Sequence, residues 1–153
     1  MGGAIGPALC LERGKIMSCK SAIFTANTNA QTVAVGGTLA LGSTIRRYGC
    51  NLNQNGNSIT INGCDDAGYY DVKASVTAAP TAAGTVTVSL FRNNVAVPGA
   101  TASAAVSTAG NPVNLSIAAL VREFCCGDDS ALTLVLSGAA ATVSNVAVVA
   151  ERI

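Results

Sequence analysis

The feature that most constrains this chain is a series of two-residue alternations that opens at Gly68 and runs to Ile153. In Gly68-Tyr-Tyr-Asp-Val-Lys-Ala-Ser-Val-Thr77, Tyr70, Val72, Ala74 and Val76 fall on one side of an extended backbone, and Asp71, Lys73, Ser75 and Thr77 on the other. Val86, Val88 and Leu90 repeat the pattern. So do Val113 with Leu115, Ile117, Ala119 and Val121, then Leu132 with Leu134 and Leu136, then Val146 with Val148 and Ala150. Strands with one apolar and one polar face pack as antiparallel sheets against a shared core. Ser116 to Phe124 is the one stretch where a helical period competes, and the alternation fits it better.

Shorter β-type runs precede this series. They are Ile23-Phe-Thr25, Gln31 to Val35, a Gly36-Gly37 turn, Thr38 to Leu41, and Ser43 to Tyr48. Asn55-Gly56 marks a hairpin turn before Ser58-Ile-Thr-Ile-Asn62, in which Ile59 and Ile61 share a face. Arg92-Asn93-Asn94 predicts another turn, and Pro98 places its run at an edge or a strand end. Gly2, Gly3, Gly6 and Pro7 discourage regular structure at the start. Residues 1–20 are therefore expected to form an arm and residues 21–153 a single β domain. A Gly-rich terminus frays unless something holds it, so the arm is expected to dock on a partner.

The last strand, Thr142 to Glu151, has a second apolar face made of Val143, Ala147 and Val149. Either its outer side meets another subunit or it lies inside a double-layered core. Composition favours the interface. Only 11% of residues are charged, against about 25% in ordinary soluble domains, so a lone monomer would be poorly defended against association.

Several functions are excluded by what the chain lacks. A net charge of +1, with Arg46-Arg47 as the only cationic pair, offers no basic stripe, so no nucleic acid is expected as partner. No run of about 18 apolar residues occurs, so no membrane span is expected. The first ten residues lack a basic, then apolar, leader, which predicts synthesis in a cytoplasm. With no histidine, a Ser-His-Asp triad and a Cys-His pair are both out of reach. Cys10, Cys19, Cys50, Cys64, Cys125 and Cys126 have no short zinc-knuckle spacing. They read as small buried hydrophobes, with Cys50 and Cys64 the most plausible local disulfide pair should the protein meet an oxidising compartment. Asp65-Asp66 and Asp128-Asp129 sit at turn positions, where Asp caps local backbone; one such pair supplies too few oxygens for calcium. No catalytic residue, metal or cofactor is therefore expected.

From Gly68 onward, over a little more than half its length, the chain resembles the globular heads of the tumour necrosis factor and complement-head superfamily. The matching segments are Gly68-Tyr-Tyr-Asp-Val72, Thr85-Val-Thr-Val-Ser-Leu-Phe-Arg-Asn93 with Val97-Pro-Gly99, Cys126-Gly-Asp-Asp-Ser-Ala-Leu-Thr-Leu134, and Asn145-Val-Ala-Val-Val149. The resemblance implies a ten-stranded antiparallel jelly roll that assembles as a homotrimer through the face carrying the Tyr strand and the last strand. Tyr70, Val143, Val146, Ala147, Val148 and Val149 are the interface residues it suggests. No Gly-X-Y repeat precedes the head, so a collagen stalk is not expected.

Taken together, these features predict a non-enzymatic homotrimeric virion protein, made in a bacterial host and decorating a phage capsid as a decoration or head-fibre protein. Its partner would be a major capsid protein or another virion protein, gripped by Ile5, Pro7, Leu9, Leu11 and Ile16 of the arm. The alternative is a receptor- or glycan-binding head of a tail fibre or spore-surface protein.

Overall fold

The computed structural model describes residues 20–49, 51–62, 68–123 and 129–153. They form eleven strands and no helix: β1 (Ala22–Asn27), β2 (Gln31–Val33), β3 (Ser43–Tyr48), β4 (Leu52–Asn55), β5 (Ser58–Ile61), β6 (Gly68–Pro80), β7 (Gly84–Arg92), β8 (Val95–Val106), β9 (Val113–Glu123), β10 (Ser130–Ser137) and β11 (Ala141–Arg152). All pairings are antiparallel. One sheet runs β3-β1-β11-β6-β9, with β2 also on β11; the other runs β4-β5-β10-β7-β8. The last strand thus sits between β1 and β6, and β10 between β5 and β7. These crossings make the two sheets a jelly roll.

The expected alternation builds the core. Tyr70, Val72, Ala74 and Val76 of β6, Leu115, Ile117 and Val121 of β9, and Val146, Val148 and Ala150 of β11 are all buried. Val86, Val88 and Leu90 of β7 and Leu132, Leu134 and Leu136 of β10 join them in the same apolar cluster. Turn chemistry fixes the registers. Asn93 and Asn94 join β7 to β8 with φ of 50° and 67°, left-handed values that asparagine tolerates and two-residue hairpins require. The Asn93 side-chain oxygen also accepts the Ala131 N–H at 2.8 Å, tying the hairpin to β10. Pro98 lies in β8, which is the edge of its sheet.

Two details depart from strict alternation. Thr38 to Leu41, expected as a strand, makes only a single bridge from Thr38 to Val135, although Leu39 and Leu41 are buried. The Gln31 side chain bonds both the N–H and the C=O of Ala40, and Asn27 Nδ2 also reaches that carbonyl. Side-chain amides occupy the backbone groups that a neighbouring strand would have used. In β11 the register slips between Val143, opposite Ala78, and Asn145, opposite Thr77. Ser144 is the extra residue of this bulge, and it turns Val143 inward.

A polar cluster sits at one end of the core. Arg92 Nε donates to Ser130 Oγ at 2.9 Å, Ser130 Oγ donates to Glu123 Oε1, and Arg92 Nη2 lies 3.5 Å from the same carboxylate. Glu123 is almost fully buried, so the guanidinium and hydroxyl supply the stabilisation that water would otherwise give.

Candidate assembly surface

The outward face of the β3-β1-β11-β6-β9 sheet is built by the residues between the core positions. Register places them in rows across the strands. Arg46, Phe24, Val149, Lys73 and Ala118 form one row; Ser43, Ala26, Ala147, Ser75 and Ser116 form the next. Nearer one end, Tyr48, Ala22, Glu151, Asp71 and Leu120 line up. Small side chains at the centre leave a shallow depression lined by Lys73, Ser75, Ser116, Ala118, Ala147 and Val149. Bulkier apolar groups stand beside it, with Leu120 58% and Val149 38% exposed. An apolar centre of this kind on a sheet face is the composition of an interface core rather than of a wet surface.

The rim is polar and largely self-satisfied. Lys73 Nζ lies 3.2 Å from Asp71 Oδ2, and the Arg122 guanidinium stands 5.7 Å from the centre of the Tyr69 ring. Toward the other end, Asn114 Nδ2 donates to Ser75 Oγ at 3.1 Å and to Thr77 Oγ1 at 3.3 Å. Such groups fix orientation and favour a matching partner more than they add affinity.

The six residues suggested as interface divide sharply. Tyr70, Val143, Val146 and Val148 are at most 3% exposed and point between the two sheets, so the chain's own core already occupies them. Ala147 and Val149 lie on the outward face. The Ser144 bulge accounts for Val143, because strict counting from Val149 puts it outside. Phe24, Ala118 and Leu120 belong to the face and were not singled out from the sequence. Ala118 and Leu120 carried a signal, since both interrupt the polar side of the β9 alternation. The suggested capsid-attachment residues Ile5, Pro7, Leu9, Leu11 and Ile16, and all six cysteines, lie outside the described residues.

Among the described residues, no three His, Cys, Asp or Glu side chains come together as a metal site. Compared with solved structures, the chain aligns with murine APRIL at a TM-score of 0.66 and 12% identity, over 88% of this chain and 99% of that one. Eiger TNF from S. frugiperda aligns at 0.65 and 12%, over 90% and 94%. PRD1 vertex protein P5 aligns at 0.60 and 14%, over 90% and 99%. The fold is that of the tumour necrosis factor-like jelly rolls. This jelly roll spans almost the whole of each of those structures, and at these identities the likeness is one of fold. No protein-family model matches the sequence, and no curated protein matches it.

Proposed function

We propose that this protein is a non-enzymatic structural component of a virion, a homotrimeric head that decorates and stabilises a phage capsid. The observation that carries the reading is the outward face of the β3-β1-β11-β6-β9 sheet, where Phe24, Ala118, Ala147, Val149 and Leu120 form an apolar patch outside the chain's own core. The resemblance to trimeric heads gives that patch its partner, a second copy of the chain. The likeness to the PRD1 vertex protein supports a place on a virion surface. Residues 1–20, including Ile5, Pro7, Leu9, Leu11 and Ile16, are the attachment segment in this account, and a major capsid protein is the shell partner.

Rebinding tests the decoration role. Capsids stripped of this protein should take it up again and gain heat resistance, and a purified chain that leaves stripped shells unoccupied sinks the reading. A receptor- or glycan-binding head is the second reading. It is favoured by a depression between the β7–β8 turn and β9, lined by Arg92, Val95, Pro98, Leu120 and Arg122. Selective signal on a glycan array or on whole host cells would move the function there.

A further inference from the structure

β3 is anomalous among the strands. All six of its residues are exposed, on both faces, and it is paired only with β1. Ile45 is 45% and Tyr48 61% exposed, so neither side chain stabilises the strand through burial within the chain. A few polar contacts hold it: Thr44 Oγ1 donates to Gln54 Oε1 at 2.7 Å, and Arg47 Nε donates to the Leu52 carbonyl at 2.7 Å. Its outer edge presents backbone N–H and C=O groups to any extended chain that arrives. Sheet edges of this kind serve elsewhere as strand-addition sites.

Charge says what would arrive. Arg46 and Arg47 stand side by side on β3, and among the described residues no carboxylate pairs with either. A second copy of the chain is a poor occupant. Of the described acids, Asp71 is paired with Lys73 and Glu123 is buried with Arg92, which leaves Asp129 and Glu151 as separated single charges. Position adds a second argument. Gly49, the residue after β3, has φ of +90°, and a Cβ there would lie 2.2 Å from the Lys20 carbonyl oxygen. The end of β3 therefore touches the root of the N-terminal segment, where residues 1–19 leave the sandwich. A shell partner gripped by that segment would pass along this edge.

We propose that β3 is a docking edge for an extended acidic segment of the shell partner. Backbone groups of β3 pair with the incoming strand, Arg46 and Arg47 bind its carboxylates, and Ile45 and Tyr48 cover its side chains. The proposal rests on the attachment reading above and adds the chemistry of the partner to it.

The test uses the full chain and a labelled alternating Thr-Glu peptide as probe, with the matching Thr-Lys peptide and an oligothymidylate as comparisons. The Thr-Glu peptide should bind about tenfold more tightly than either, lose that advantage in Arg46→Glu, and weaken steeply as salt rises to roughly 1 M, where screening acts within about 3 Å. Arg46→Glu keeps the Arg47–Leu52 bond, so the strand itself stays in place. Hydrogen exchange should show β3 amides slowing when the peptide is added. Equal binding of the two peptides, or tighter binding of the oligothymidylate, overturns the proposal. So does protection of the β3 edge before any peptide is present, which would mean that the chain fills its own edge. A loss of oligomer mass in Arg46→Glu would reassign β3 to the subunit interface and also overturn it. A monomeric wild-type mass with peptide binding intact would strike the trimer reading alone.

Discussion

Asn51 Nδ2 donates to Tyr70 Oη at 2.9 Å inside the sandwich, where both residues are about 1% exposed. The bond joins the loop before β4 to the first long strand and holds the tyrosine in the core with its hydroxyl satisfied. Tyr70→Phe keeps the ring and removes the acceptor. It should lower stability by about 1–2 kcal/mol, a few degrees in Tm, without changing the mass of the assembly. Dissociation of an otherwise stable oligomer would put Tyr70 back at the interface.

The outward face should respond in the opposite way. Ala147→Glu places a carboxylate at the centre of the patch, where burial against another subunit leaves it without a counter-charge. The variant should release folded monomers, with its circular dichroism intact. Val148→Glu, one residue along and turned into the core, should instead fail to fold. Unchanged assembly in Ala147→Glu would remove this face from the interface.

Gly138 has φ of +83°, and a Cβ there would lie 2.2 Å from the Thr85 carbonyl oxygen. Gly138→Ala combines left-handed strain with a backbone clash, so it should cost more than the roughly 1–2 kcal/mol of the conformation alone. Thermal melts of the two proteins check this.

The Asn93-Asn94 hairpin makes a paired prediction. Asn94→Gly relieves a positive φ and should stabilise by up to about 1 kcal/mol. Asn93→Gly relieves the same kind of strain but loses the bond to Ala131, so it should gain less or become destabilising. Equal gains would mean that the side-chain bond contributes nothing.

These variants also mark how far the sequence alone could be read. Period-two alternation from Tyr70 to Ala150 exposed the core because each strand buries one face, and turn residues such as Asn93 and Asn94 have a local cause. Local pattern fails where distant atoms decide. The Ser144 bulge depends on how β11 meets β6, and it moved Val143 from the predicted face to the core. Thr38 to Leu41 looked like a strand because Leu39 and Leu41 alternate, but the Gln31 and Asn27 side chains already hold Ala40. The patch formed by Phe24, Ala118 and Val149 comes from three strands far apart in the chain. Only the sheet order makes it a surface.

The central claim is that this face joins copies of the chain, and the mass of the purified wild-type protein in solution tests it most directly. Native mass spectrometry or light scattering should return three times the 15.2 kDa chain mass. A single species at 15.2 kDa, at concentrations where the protein is folded, would contradict the account.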